Sequence, residues 1–148
     1  MSPMKSSTRR TLRQQGFTLI ELLVVLVILG MLAGLVGPRL FSNVDKSKVK
    51  TADTQTKMLR GTLQTYRLDV GSYPTTEQGL AALMNNPGNV QNWQGPYLED
   101  ELPKDPWGRA YVYKAPVDNL QGFALYSLGA DGKPGGEGLD ADIGFLEK

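Results

Sequence analysis

FTLIELLVVLVILGMLAGLVG, residues 17–37, is an apolar run of twenty-one residues broken by a single charge, Glu21. At about 1.5 Å of rise per residue, a helix of this length reaches roughly 31 Å, close to the ~30 Å hydrocarbon thickness of a bilayer. Immediately upstream, residues 1–16 carry Lys5, Arg9, Arg10 and Arg13 and no acid. Such a cluster holds its end of a membrane helix on the cytoplasmic side, so the remainder of the chain faces the other way. A secretory signal peptide also has a basic start and an apolar core, but its core is shorter, and no Ala-x-Ala site closes this one; Pro38 and Arg39 follow instead. An uncleaved membrane anchor satisfies the hydropathy equally well.

The rest of the composition narrows the field. A chain of 148 residues is long enough for one modest domain. Its net charge of +1 conceals an asymmetry, since loss of the four leader cations would leave −3. Basic residues gathered in one short arm, not spread over a folded face, argue against nucleic-acid binding. With no cysteine the chain has neither disulfide nor thiolate metal site, and with no histidine it lacks the commonest general base. No nucleophile–base pair or phosphate-binding loop points to an enzyme.

Glu21 separates the anchor from a more specific reading. A carboxylate deep in lipid costs on the order of 2.5–3.5 kcal/mol, and such residues are usually functional. Near a helix start it can snorkel or meet the helix dipole. If the chain is cut after Gly16, Phe17 gains a free α-ammonium one helical turn from Glu21. In a packed fibre the carboxylate could then neutralise the ammonium of its own chain or of a neighbour, and a paired buried charge is far more tolerable than a lone one.

A basic leader, then Gly16-Phe17-Thr18-Leu19-Ile20-Glu21, then about fifteen apolar residues resembles the class III signal of type IV pilins and pseudopilins. The resemblance implies cleavage between Gly16 and Phe17 by a membrane prepilin peptidase, N-methylation of Phe17, and a role for Glu21 in subunit registration.

Downstream, Gly30-x-x-x-Gly34 either lets helices approach closely or merely softens the helix, and Pro38 should bend or loosen it. Beyond Pro38 the sequence is polar but periodic. Ala52, Thr56, Leu59, Leu63, Tyr66 and Val70 recur at three- and four-residue steps, giving one narrow packing stripe. Lys46, Lys48 and Lys50, with Asp45 and Asp53, form a solvated face. Gly71 stops the helix. The sequence therefore divides into a cleaved leader (1–16), an apolar half-helix (17–37), an amphipathic half-helix (38–70) and a C-terminal domain (71–148).

That domain holds most of the prolines and glycines. YPTTEQGL, residues 73–80, reads as a turn followed by a capped short helix through about Met84, with Thr76 or Thr75 as N-cap. LPKDPWG, 102–108, is a turn cluster leading into a strand over Arg109–Lys114, and Phe123–Leu128 is a second strand. A short antiparallel sheet packed on the amphipathic helix gives an α+β, type IV pilin-like fold. Trp93 and Trp107 are read as core or turn packing.

YPTTEQGLAAL (73–83), LPKDPWGRAYVY (102–113) and YSLGADG (126–132) closely resemble the G-type major pseudopilins of type II secretion systems, and with the N-terminal signal the likeness covers nearly the whole chain. It implies an inner-membrane, single-pass subunit with a periplasmic domain. Such subunits polymerise with copies of themselves, beside minor pseudopilins and on an inner-membrane assembly platform, into a helical filament that helps export folded proteins. A type IV pilin or minor pseudopilin serving adhesion or DNA uptake is the alternative.

The loop from Asp131 to Asp142 places four glycines and four acids in twelve residues. Calcium takes six to eight oxygens from such flexible backbone, though Lys133 and Gly135 at the third and fifth positions exclude an EF-hand. A solvated acidic turn has the same composition. The resemblance implies a structural Ca2+, with Asp131 as first carboxylate, Leu128 as carbonyl donor and Asp140 or Asp142 as later ligands. The Ile143-Gly-Phe-Leu-Glu-Lys ending departs from the Gly-Asn-Trp common in the family.

Overall fold

The computed structural model describes residues 16–147, so the leader cations Lys5, Arg9, Arg10 and Arg13 lie outside the described residues. The chain order is α1 (Leu19–Val70), β1 (Val112–Lys114), β2 (Ala124–Ser127) and β3 (Ile143–Phe145), with 3-10 turns at Leu80–Leu83 and Gly138–Asp140. Two compact units divide between Leu40 and Phe41. Pro38 does not end the helix, which continues through it.

In the first unit, an 18-residue window of α1 has a mean hydropathy of 2.9 and no buried residue. A Cβ added at Gly30, Gly34 or Gly37 would meet nothing within 4 Å. Nothing within a single chain therefore requires glycine there, although each costs about 1 kcal/mol against alanine in a helix.

The second unit is built on the expected stripe. Ala52, Thr56, Leu59, Leu63 and Tyr66 are buried, and Val70 is half-buried. Full burial of side chains such as Leu59 and Leu63 stabilises by about 1.5–3 kcal/mol each. Gly71, at φ +93°, ends α1 by donating its N–H to the Arg67 carbonyl at 2.8 Å. Lys46 and Lys50 are exposed, and Asp53 pairs with Lys57 at 2.7 Å on the outer face.

The three strands run antiparallel in the order β1-β2-β3, with Tyr113 opposite Leu125 and Leu125 opposite Phe145. Phe123 is fully buried, its ring 4.9 Å from Tyr73, 6.2 Å from Tyr113 and 6.3 Å from Phe145. Trp93 is tied into the same packing, its indole N–H donating to the Ala82 carbonyl at 2.8 Å.

Several boundaries differ from the sequence reading. The strand expected from Arg109 begins only at Val112, because Asp105 takes both backbone groups of Arg109: its carboxylate accepts the Arg109 N–H at 2.8 Å and its own N–H donates to the Arg109 carbonyl at 2.7 Å. The strand expected over Phe123–Leu128 is Ala124–Ser127, since the Phe123 carbonyl is taken by the Asn119 side chain. The short helix is a turn followed by a 3-10 segment, with Gly79 at φ +61° between them. Thr75 forms the reciprocal pair with Gln78 (2.9 and 3.3 Å), whereas Thr76 binds both backbone groups of Ala115 through its hydroxyl.

β3 has no counterpart in the sequence reading. Its Gly144 sits at φ +136°, where a Cβ would lie 2.4 Å from the Leu125 carbonyl oxygen and 3.0 Å from Thr56 Cγ2. Only glycine lets the strand lie this close to both β2 and α1.

Candidate functional site

Two regions carry the residues singled out from the sequence, one at the start of α1 and one in the acidic loop. At the start of α1, Phe17 is 90% exposed and precedes the helix. The first helical residue is Leu19, not Phe17, because Thr18 is the cap: its hydroxyl accepts the Glu21 N–H at 3.3 Å, while Glu21 Oε2 accepts the Thr18 N–H at 3.0 Å. This Thr-x-x-Glu box satisfies two otherwise unpaired backbone donors and sets a carboxylate in the positive first turn of the helix. Within one chain, Glu21 is thus occupied by its own backbone. Gly16 and Phe17 stand just outside the helix, and both are exposed.

The acidic loop is organised by its backbone. The Ala130 N–H donates to the Leu139 carbonyl at 2.9 Å, closing the loop at its root. Gly129 is buried against Asp140 and Ala141, with a would-be Cβ 2.6 Å from the Ala141 carbonyl oxygen. Gly136 likewise lies against the Asp140 carbonyl. Asp131 Oδ1 accepts the Lys133 N–H at 2.9 Å in a local turn, and Asp142 Oδ2 accepts the Gly135 N–H at 2.9 Å across the loop. Asp142 Oδ1 is buried with no hydrogen-bond partner. Leu128 is half-buried, and Asp131 and Asp140 are exposed. Among the described residues, no three acidic side chains converge on one point. Asp142 is the half-buried acid of the loop, while Asp140 is exposed and its backbone lies against Gly129 and Gly136.

Sequence reasoning missed what supports the loop. Buried Asp105 accepts the Ser127 hydroxyl at 2.6 Å and the N–H groups of Trp107 and Arg109 at 3.0 and 2.8 Å. Arg109 lies beside this carboxylate and donates to the Gly129 carbonyl. The signal was the Asp-Pro-Trp-Gly run, read only as a turn.

The family model described as type II secretion system protein G matches residues 39–146, and the prokaryotic N-terminal methylation motif matches residues 11–37. The chain belongs to the type II secretion system protein G family. It is 52% identical to the type II secretion system core protein G of Pseudomonas aeruginosa over 89% of this chain and 94% of that protein. It is 47% identical to the protein of the same name from Vibrio cholerae, over 89% and 91%. Among solved structures it resembles the major pseudopilin from the type 2 secretion system of enterohaemorrhagic Escherichia coli, with a TM-score of 0.58 and 38% identity over 72% of this chain and 92% of that one. Members of the protein G family are structural subunits, not enzymes, and the methylation motif with its exposed apolar helix is that of a membrane-anchored pseudopilin.

Proposed function

We propose that this chain is the major structural subunit of a type II secretion pseudopilus, a periplasmic filament of repeated copies that helps export folded proteins across the outer membrane. The observation that carries this reading is a protein G domain joined to a long apolar helix that buries nothing within its own chain. A surface of that kind needs lipid before assembly and other helices after it. An adhesive or DNA-uptake pilin, or a minor pseudopilin, is not favoured, because the family match is to protein G over most of the chain.

The subunit begins as a single-pass inner-membrane protein with its C-terminal domain in the periplasm. A prepilin peptidase cuts between Gly16 and Phe17 and Phe17 is N-methylated, a reading supported by the methylation motif across residues 11–37. Cleavage leaves a positive amine beside the Thr18–Glu21 box. Glu21 then exchanges its backbone partner for an ammonium on its own or a neighbouring chain, which sets subunit register. Minor pseudopilins and the inner-membrane assembly platform are the further partners this reading entails. The direct test is the mass of the purified chain. A start at Phe17 with one added methyl group is expected, and an intact Met1 start would overturn the processing.

Calcium fits the acidic loop. The buried, unpartnered Asp142 Oδ1 asks for a positive partner, and the glycine-rich backbone is of the kind that supplies carbonyl oxygens. Asp131, Asp142 and the Leu128 carbonyl would hold the ion, with Asp140 the alternative to Asp142. Bound there, calcium would neutralise the acidic side chains and, through the Leu128 carbonyl, would tie the loop to the end of β2. A melting temperature lowered by chelator and restored by calcium is expected, and an Asp142→Ala chain that responds as the parent does would remove the site.

A further inference from the structure

We propose that Arg109 is a positioning residue for the acidic loop, an internal cation that holds the loop's root in place without a metal, its role toward calcium resting on the metal reading above. The guanidinium touches backbone on both sides of Asp131. It donates to the Gly129 carbonyl, and it lies against Gly132 so closely that a Cβ there would be 2.9 Å from Nη1 and 3.1 Å from Cζ. Its other flank faces the Trp107 ring, 5.9 Å from the centroid.

The guanidinium is held beside a carboxylate. Nε, buried and without a hydrogen-bond partner, is 3.7 Å from Asp105 Oδ2 in an ion pair, and the same side chain accepts the Arg109 backbone N–H and the buried Ser127 hydroxyl at the end of β2. The contacts run without interruption from Ser127 through Asp105 and Arg109 to Gly129 and Gly132. A planar guanidinium suits this place because it can stack on an aromatic ring, hydrogen-bond a carbonyl and stay charged at once, whereas an ammonium cannot do all three. Gly132, at φ +70°, leaves the room it needs. The loop carries Asp131, Glu137, Asp140 and Asp142 against Lys133 alone, so a cation fixed at its root offsets part of their mutual repulsion. Calcium held by Asp131 and Asp142 would offset it as well. With Arg109 in place, loop order depends less on calcium than it does without it.

Hydrogen exchange on the full mature chain in detergent micelles, read on peptides covering residues 128–142 in chelator and in calcium, tests this. In the parent, chelator should leave most of the loop protection in place. In Arg109→Gln, exchange of these amides in chelator should quicken about tenfold, the scale of one lost charged hydrogen bond, and calcium should restore much of the difference. Arg109→Lys, which keeps the charge but not the planar fork, should fall between. An Arg109→Gln loop that exchanges at the parent rate in chelator would overturn the proposal. So would uniform acceleration through β1, β2 and α1 in both variants, which marks a general structural role. If calcium changes neither parent nor variant while Arg109→Gln still loosens the loop in chelator, the tether stands and the metal reading fails.

Discussion

The Ser127 hydroxyl donates to Asp105 Oδ2 at 2.6 Å, and both side chains are buried. This single bond joins the Asp-Pro-Trp-Gly turn to the central strand. Because Asp105 also gathers two backbone N–H groups and an arginine, its loss leaves several buried donors unpaired at once. Asp105→Ala should destabilise the domain by roughly 3 kcal/mol or more, and Ser127→Ala by about 1–2 kcal/mol, since the carboxylate keeps its other donors. Urea unfolding should rank them in that order.

Gly144 faces a similar demand for space. With φ at +136° and the Leu125 carbonyl 2.4 Å from any added Cβ, Gly144→Ala should cost about 2–4 kcal/mol. Equilibrium unfolding would measure it, and a parent-like midpoint would show that β3 can move away from α1 at little cost.

Glu21 can be separated into its two roles by one substitution. Glutamine at this position still reaches back to the Thr18 N–H but carries no charge. Glu21→Gln should therefore keep the start of α1 ordered, read as circular dichroism and amide protection in micelles, yet fail to form filaments by electron microscopy. Normal filaments would put the registration role in the box itself and not in the charge.

Alkaline pH should unfold the domain ahead of simple hydrolysis. Burial raises the Tyr113 phenol above its ordinary 10.0, with Tyr66 and Tyr73 adding to it, and burial together with Asp105 does the same for Tyr111. The unfolded chain then loses these protons first, so the contribution is full below about pH 10 and falls as pH rises beyond it. The unfolding midpoint should be level from neutral to about pH 9 and drop above 10, together with tyrosinate absorbance. Tyr113→Phe should flatten that drop while costing about 1 kcal/mol at neutral pH, because the Pro74 carbonyl loses its 2.8 Å donor.

What the sequence disclosed follows from the range of the forces involved. The stripe from Ala52 to Tyr66 is legible because helical period and burial are both local. The apolar run and Glu21 were legible because lipid tolerates so few patterns. β3 was not, since Ile143-Gly144-Phe145 is too short for a period, and the reason for its glycine lies in the backbone of Leu125 and Tyr126 and, nearly ninety residues away, in the side chain of Thr56. β1 starts late for the same kind of reason: Asp105 competes for the backbone of Arg109, which looks like any alternating strand residue. The acidic loop was visible as composition. Which acid is half-buried, and which arginine stands behind it, depends on contacts no spacing rule encodes.

β3 is the last strand in chain order, yet it rests on α1, the first element. During synthesis and export, the stripe on the helix must therefore wait for residues 143–145 before its covering is complete. A chain interrupted anywhere between would leave Thr56 and the β3-facing edge of β2 uncovered. The first-made helix and the last-made strand thus share one packed surface, so the domain closes only when both ends of residues 52–145 are present.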